Sequence, residues 1–396
     1  MNWFIDIDDC CGCGACAQIC PNGCITMSED ECGFFVPQKE ASACINCGLC
    51  ELVCPVFNKD KRPTRDAVYY ISRNTNNDIL EKSSSGGIFD VLSKFVLSQG
   101  GVVFGVRFND KWEAIYDYAE SLSDAEKFRG SKYLAARVGG AYRQTQDFLQ
   151  SGRLVMFSGT PCHIAGLHQF LQKYYENLIT VDVICHSVPS PKVWQTYLRE
   201  MSHKKEVTHV NFRSKAFGWD RYGLKIEGQD KVFVHEPNDE NLYMRGFLSG
   251  LTISTSCSHC SAKNNTSMSD VTIGDYWELP EQFPEMDDNR GMSLVVVSTA
   301  KGDKMIDAIK NIVFIRSIPV TKVDFQGEHS SLTQSATLHP NRSMFFNQLS
   351  IGSIKVSKAL NYSLREHLSG KEKIVRILKI LCGNSYYSLR RVWRRK

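Results

Sequence analysis

The sequence predicts a small α+β module at the N-terminus, an α/β core with a mixed sheet, and a helical C-terminal tail. Three observations support this order. Two cysteine runs repeat with a spacing of 34 inside residues 1–58. Strand-like and helix-like segments alternate over residues 64–350, with glycine-bearing turns between them. Residues 353–396 are rich in basic side chains and carry apolar residues at helical spacing.

The N-terminal module carries two cysteine runs with the same internal spacing. The first reads Cys10-x2-Cys13-x2-Cys16-x3-Cys20-Pro, and the second repeats this from Cys44. This is the bacterial double-cluster spacing, in which the fourth cysteine of each run ligates the other cluster. We therefore predict a ferredoxin-like module with two 4Fe–4S clusters. The expected ligands are Cys10, Cys13, Cys16 and Cys54 for the first cluster, and Cys44, Cys47, Cys50 and Cys20 for the second.

Zinc and disulfides are the alternatives for these cysteines. Zinc favours paired CxxC ligands, four to an ion, which leaves the third and fourth cysteines of each run unexplained. Disulfides need an oxidising compartment, and the start of the chain lacks the features of a signal peptide. Cys11, Cys24 and Cys32 lie outside the ligand spacing and are expected to be packing residues.

Composition points to a cytoplasmic protein of two or three domains. The chain has 396 residues, and none of its apolar runs approaches the ~20 residues that span a bilayer. A net charge of +4 conceals an acidic N-terminus, about −7 over residues 1–60, and a basic end, about +8 over residues 371–396. The two ends therefore have separate electrostatic characters, and confinement of the basic residues to one segment argues against nucleic-acid binding.

After a charged linker at residues 58–64, the elements of the core alternate between strand and helix. The hydrophobic patterns predict an antiparallel insertion at about residues 207–235 and helices outside the core from about Ser353. Before the insertion we expect strands at 67–72, 102–108, 112–119, 154–157 and 179–184, and helices at 88–99, 138–150, 162–174 and 191–203. After the insertion we expect a helix at 240–248, strands at 271–273 and 294–298, and a helix at 301–312.

Four further cysteines lie at turns of the predicted core. Cys162 follows Gly-Thr-Pro, Cys185 follows a strand, and Cys257 and Cys260 form a CxxC pair. Four thiols at element ends are the right number for one more centre, either a third 4Fe–4S cluster or a structural zinc. Buried packing cysteines are the remaining alternative.

Two small-residue turns precede helices, at Ser83–Gly87 and Ser158–Thr160. Backbone amides at such turns can hold a phosphate or pyrophosphate, and Lys132 would add a positive charge. Neither turn matches the dinucleotide or triphosphate-binding motifs, and both suit simple helix capping equally well.

Taken together and in order, the core motifs resemble one known family. They are Ser-Ser-Gly-Gly at 84–87, Gly-Ser-Lys-Tyr at 130–133, Gly-Thr-Pro-Cys at 159–162, Cys-His at 185–186, the CxxC at 257–260 and Gly-Asp-Tyr-Trp at 274–277. The chain resembles the coenzyme F420 hydrogenase/dehydrogenase beta-subunit family, particularly bacterial members with an N-terminal double 4Fe–4S ferredoxin domain. The resemblance covers residue 1 to about residue 315.

The resemblance implies a flavoprotein with FAD near an iron–sulfur cluster. Cys162, Cys185, Cys257 and Cys260 then become ligands of a third 4Fe–4S cluster, with zinc as the alternative. The implied flavin-site residues are Ser84, Ser85, Gly86, Gly87, Gly130, Ser131, Lys132, Tyr133, Gly159, Thr160 and Asp275. Trp277 is expected in the same cavity. His163 and His186 are candidate proton donors or structural histidines, and no catalytic residue is assigned.

We therefore expect a flavin- and iron–sulfur-dependent oxidoreductase that takes electrons from a ferredoxin-like or other redox protein and passes them to a small-molecule substrate. An electron-transfer subunit without its own substrate is the main alternative, and a scaffold without flavin is another. The basic tail from Lys371 suits either contact with an anionic membrane surface or packing on the core.

Overall fold

The computed structural model describes residues 5–58, 66–350 and 354–365. Within these residues the chain forms a mixed α/β fold with one large sheet and two small ones. The strands are β1 (Ile25–Glu29), β2 (Phe35–Lys39), β3 (Val68–Asn74), β4 (Val102–Phe108), β5 (Ala114–Ala119), β6 (Val155–Gly159), β7 (Leu178–Val183), β8 (His209–Ser214), β9 (Gly223–Glu227), β10 (Val232–Pro237), β11 (Val271–Asp275), β12 (Ser293–Val297) and β13 (Val313–Ile318).

The large sheet has eight strands in the order β13-β3-β12-β11-β7-β6-β4-β5. Its four central strands, β11, β7, β6 and β4, are parallel to one another. The flanking strands pair antiparallel, with β5 on one side and β12, β3 and β13 on the other. The predicted mixed sheet is confirmed, and so is the antiparallel insertion, which forms the separate sheet β10-β9-β8.

Helices follow most of the strands. They are α1 (Ala15–Ile19), α2 (Leu49–Leu52), α3 (Asn77–Lys82), α4 (Ile88–Ser98), α5 (Leu122–Ala125), α6 (Ala141–Gln150), α7 (Pro161–Leu171), α8 (Pro191–Met201), α9 (Leu242–Leu248), α10 (Leu279–Gln282), α11 (Ala300–Ile309), α12 (Arg342–Ser350) and α13 (Val356–Arg365). Proline at the first position of α7 and α8 suits a helix start, because that residue needs no amide hydrogen bond.

Alternate residues of the central strands enter two separate cores. In β6, Val155 and Phe157 pack with residues of α6 and α7, whereas Met156 packs with α4 and α11. Because successive side chains of a strand point to opposite faces, the sheet must be covered by helices on both sides. This accounts for the almost uninterrupted burial of β6 and β7.

The N-terminal module consists of the hairpin β1–β2, two short helices and the cysteine loops. It is fastened to the core by polar contacts as well as packing. The guanidinium of Arg143 donates to the Gln18 carbonyl at 2.6 Å, and the Gln18 amide oxygen accepts from the Tyr142 amide at 2.9 Å. Lys192 donates to the Glu31 carbonyl at 2.8 Å. The module and the core therefore share an extended interface.

Two features of the core differ from the expectations. Strand β13, which pairs with β3, was not predicted. The expectation of helices outside the core from Ser353 is wrong for α13, whose Val356, Ala359 and Leu360 are fully buried in the main core. The remainder of the expected tail, including Cys382 and the segment from Lys371, lies outside the described residues.

Candidate functional site

The four predicted ligands of the first cluster lie close together. Cys13, Cys16 and Cys54 are buried, and Cys10 is partly buried. Burial raises the pKa of Cys10 to about 11, with a contribution from the negative charge of Cys54. Burial likewise raises the pKa of Cys16 to about 12, with contributions from Cys10 and Cys54. The fourth cysteine of the second run thus joins the first run, as the double-cluster spacing requires.

The second group assembles around the buried Cys20. Cys44 and Cys50 pack against the buried cluster that contains Cys20, whereas Cys47 is exposed at the surface. Gly48 supplies the left-handed residue that starts α2, with φ of 75°. Cys24 lies beside the group, because its Sγ is 3.3 Å from the Cys20 Sγ. Sequence spacing alone gave no sign of this contact.

The third group forms at one edge of the large sheet. Because β6, β7 and β11 are parallel, their carboxyl ends meet at this edge. Cys162 follows β6 on the first turn of α7, and Cys185 follows β7. Cys257 lies in a short helical turn, and Cys260 directly follows it.

The charges of these thiols act on one another. Burial raises the pKa of Cys257, and the charges of Cys185, Cys162 and Cys260 raise it further. Burial also raises the pKa of Cys185 to about 12, with contributions from Cys162 and Cys260. The structure therefore brings together all four predicted cysteines of the third centre.

Across the described residues, no group of three or more His, Cys, Asp or Glu side chains is arranged to hold a metal ion.

A cavity of about 650 Å³ opens beside the third group. Its size is within the usual range for a cofactor site, about 300–1,000 Å³. Ten of the eleven predicted flavin-site residues line it: Ser84, Ser85, Gly87, Gly130, Ser131, Lys132, Tyr133, Gly159, Thr160 and Asp275. Cys185, His163, His186 and Trp277 also line it. The cavity therefore reaches the third group of cysteines directly.

Gly86 does not line the cavity. A Cβ at this position would lie 2.4 Å from the Ser72 carbonyl oxygen and 2.8 Å from the Ser293 amide nitrogen. Its amide donates to the Ser293 hydroxyl at 3.0 Å. The residue lets the turn pass close behind the sheet, while its neighbours Ser84 and Ser85 face the cavity.

Two turns of the cavity wall are joined by a serine pair. The amide and the hydroxyl of Ser131 lie 2.9 and 3.0 Å from the Ser84 hydroxyl oxygen. Lys132 follows, but its ammonium is directed at the carbonyl oxygens of residues 127–130, at 2.9–3.1 Å. Burial lowers the pKa of Lys132 to about 7. Lys132 thus organises its own loop within the cavity wall.

Arg213 was missed by the sequence analysis. It lies in β8 and is 4% exposed, and its guanidinium donates to both Asp275 carboxylate oxygens at 2.8 and 2.9 Å. The guanidinium also lies 3.8 Å from the centre of the Tyr222 ring. Trp219 donates to the same carboxylate at 2.6 Å. Asp275 is therefore held in place by two donors from the insertion, and its position at the cavity is set by tertiary contacts.

The two cavity histidines have different environments. Nδ1 of His163 is 2.9 Å from the Tyr116 hydroxyl, and burial lowers the pKa of His163 to about 4. His186 stacks edge-on against Phe247, and its Nε2 is buried without a hydrogen-bond partner among the described residues. Burial and the charge of Lys263 lower the pKa of His186. Burial therefore disfavours the protonated form of both imidazoles.

Comparison with known protein families agrees with this division of the chain. Residues 152–322 match the sequence model that describes the C terminus of the beta subunit in coenzyme F420 hydrogenase/dehydrogenase. Residues 9–58 match a 4Fe–4S dicluster domain. The chain thus carries a segment that matches the C terminus of the coenzyme F420 hydrogenase/dehydrogenase beta subunit, together with a 4Fe–4S dicluster domain. All four cysteines of the third group lie in the matched C-terminal range, and the eight of the first two groups lie in the dicluster range.

The individual proteins that this chain matches have low sequence identity to it. A coenzyme F420-dependent sulfite reductase of Methanocaldococcus jannaschii is 22% identical over 323 residues, covering 78% of this chain and 47% of the relative. The F subunit of the F420H2 dehydrogenase of Methanosarcina mazei is 24% identical over 188 residues, covering 45% of this chain and 53% of the relative. The chain thus spans about half the length of the curated relatives it matches.

This protein is similar to a chain in a solved structure of the F420-reducing NiFe hydrogenase complex from Methanosarcina barkeri. It is 15% identical, with a TM-score of 0.45, and the match covers 77% of this chain and 94% of the other. Within the part of the protein that the structure describes, no helix has the length and apolar character needed to cross a bilayer.

Proposed function

We propose that this protein is an iron–sulfur flavoprotein oxidoreductase. Electrons enter from a ferredoxin-like or other redox protein at a double 4Fe–4S module with a ferredoxin-like fold. They continue to a third 4Fe–4S cluster, and from there to FAD and a small-molecule substrate. The observation that carries this proposal is spatial: Cys185 belongs to the third group of cysteines and also lines the cavity.

The contact between the N-terminal module and α7 supports the route. Cys13, an expected ligand of the first cluster, packs on Gly166 of α7, and Cys162 lies one turn earlier on the same helix. Residues four apart on a helix lie on the same face, about 6 Å apart. The first and third groups are therefore neighbours, which suits electron transfer between them.

The cavity residues suit FAD in size and chemistry. Ser84, Ser131 and the turn at Gly159–Thr160 offer hydroxyls and small-residue backbone that suit a pyrophosphate. Trp277 offers an aromatic surface for a ring system. When bound, FAD supplies two-electron chemistry with organic substrates. In this cavity Asp275 and Arg213 form a rigid wall, and the orphan Nε2 of His186 is available to hydrogen-bond a bound group.

An electron-transfer subunit within a larger assembly is the second candidate. It is favoured by the name of one relative, which is a subunit of an F420H2 dehydrogenase. It is also favoured because the chain spans only about half the length of the relatives that it matches. In that case the acceptor would be a partner polypeptide, or a deazaflavin held jointly with one. We place the protein in the cytoplasm, where reducing conditions suit thiolate ligands.

Cofactor analysis of protein purified without oxygen tests the proposal. We expect about twelve irons per chain, matched by acid-labile sulfide, since three 4Fe–4S clusters are proposed. We also expect about one FAD per chain in the same preparation. About eight irons with one zinc would overturn the third cluster. Full iron content with flavin absent would favour the second candidate.

A further inference from the structure

Lys263 is a buried lysine beside the third group of cysteines. Its side chain is 8% exposed overall, and its Nζ donates to the Cys185 carbonyl and the Ser331 carbonyl, each at 2.6 Å. Among the described residues, no carboxylate forms an ion pair with it. Its only hydrogen-bond partners there are neutral carbonyl oxygens.

Such an arrangement is electrostatically unusual. A buried ammonium loses its hydration, and carbonyl dipoles compensate for only part of that loss. Buried charges in proteins are therefore normally matched by an opposite charge nearby. Lys301 of α11, which is also buried, follows that rule, because its Nζ lies 3.7 Å from the Asp270 carboxylate. For Lys263, the balancing negative charge must come from a group other than a carboxylate of the described residues.

The cysteines of the third group are the neighbours that can provide negative charge. The charge of Lys263 acts on the thiols of Cys185 and Cys260, opposing the rise in pKa that burial causes in both. A 4Fe–4S cluster with four thiolates is anionic, and it gains one more negative charge on reduction. A fixed positive charge stabilises the more negative state more strongly, and most strongly where the dielectric constant is low.

We propose that Lys263 is a positioning residue that balances the charge of the third cluster and raises its reduction potential. The inference rests on the proposed function, because it requires the cluster. Reduction adds one electron to the third cluster from the N-terminal clusters, and no bond to Lys263 forms or breaks. Electrons would thereby be drawn from the N-terminal module towards the cavity.

The test compares the third-cluster potential in full-length variants by anaerobic redox titration monitored by electron paramagnetic resonance. Lys263→Gln removes the charge and retains N–H donors for the two carbonyls, and Lys263→Arg retains the charge. The third-cluster signal is assigned as the one lost in Cys257→Ser. We expect Lys263→Gln to shift the reduction equilibrium at least tenfold towards the oxidised state, about 59 mV for one electron. Lys263→Arg should stay within threefold of wild type.

Lys301→Met provides a matched control. Lys301 donates to the carbonyl of Leu178, at the opposite end of β7 from Cys185, about 20 Å away by strand rise. This variant also loses a buried lysine, but it should leave the potential unchanged.

An unchanged potential in Lys263→Gln with full iron would overturn the inference. So would loss of four irons in both Lys263 variants, because the residue would then serve only the fold. Eight irons in the wild-type protein would instead refute the third cluster itself, which separates failure of the proposed function from failure of the inference.

Discussion

Cys13 and Gly166 are in direct contact across the interface between the N-terminal module and the core. A Cβ placed on Gly166 would lie 2.9 Å from the Cys13 Cβ and 3.0 Å from its Sγ. The absence of a side chain at Gly166 is therefore what allows an expected ligand of the first cluster to approach α7. The same helix begins at Pro161-Cys162, so this contact fixes the separation between the first and third groups.

Replacing Gly166 should disturb both the interface and the first cluster. A methyl group would also lie 2.8 Å from the Tyr142 hydroxyl, so Gly166→Ala must displace a buried neighbour. We expect the variant to lose about 1–3 kcal/mol of unfolding free energy and part of its iron, because overpacking forces neighbouring groups to move. Anaerobic denaturation and iron analysis measure both. Gly140→Ala is the control, since a Cβ there meets nothing within 4 Å.

Gly159 and Tyr116 should show strong coupling. A Cβ on Gly159 would lie 2.1 Å from the Tyr116 hydroxyl oxygen but 3.2 Å from its ring carbon Cζ. Gly159→Ala should therefore destabilise the protein, and adding Tyr116→Phe should recover about 0.5–3 kcal/mol. A double-mutant cycle followed by denaturation measures this coupling. Additive losses would show that the hydroxyl is not the obstacle.

Arg213 should be essential for stability because it compensates a nearly buried carboxylate. Removal of one partner of a buried ion pair typically costs about 3–5 kcal/mol, since the other charge is left unpaired. Arg213→Met is expected to fall in that range by chemical denaturation. The control is Arg107→Met, whose pair with Asp117 is about a third exposed, and this variant should lose less than about 1 kcal/mol. Equal losses in the two variants would contradict the assignment.

Lys132 should make stability depend on pH. Burial lowers its pKa to about 7 from 10.5, so between these values the unfolded chain binds more protons than the native protein. The unfolding free energy therefore gains a contribution that rises with pH across this window. The unfolding free energy of wild type relative to that of Lys132→Met should increase by about 2 kcal/mol between pH 7 and pH 9. Parallel stability profiles for the two proteins would refute this prediction.

Sequence patterns predicted the mixed sheet because its buried strands are short, apolar and bounded by glycine turns. The residues around the cavity came from the resemblance to a known family, and ten of the eleven residues that it implied line the cavity. Sequence patterns did not predict β13, whose partner β3 lies some 240 residues earlier in the chain. A six-residue segment carries too little periodicity to reveal such distant pairing.

Side-chain roles at the site were harder to anticipate. The pattern of the insertion gave no reason to distinguish Arg213 from other strand residues, because its role depends on β8 approaching the end of β11. Lys132 lies in the cavity wall as predicted, but its hydrogen bonds go to its own loop. The local pattern around Lys263 did not predict its burial, because that burial depends on contact with the segment that contains Ser331.

The hydrogen bond from Arg143 to the Gln18 carbonyl holds the N-terminal module against the core. Many multi-domain redox proteins move a tethered carrier domain between a loading position and an unloading position. In this protein, α1 of the N-terminal module is hydrogen-bonded to α6 and packed on α7. A module that moved between two positions would have to break that interface at every turnover. In the proposed electron route, electrons would therefore cross an interface that stays closed, and no movement of the N-terminal module would be needed.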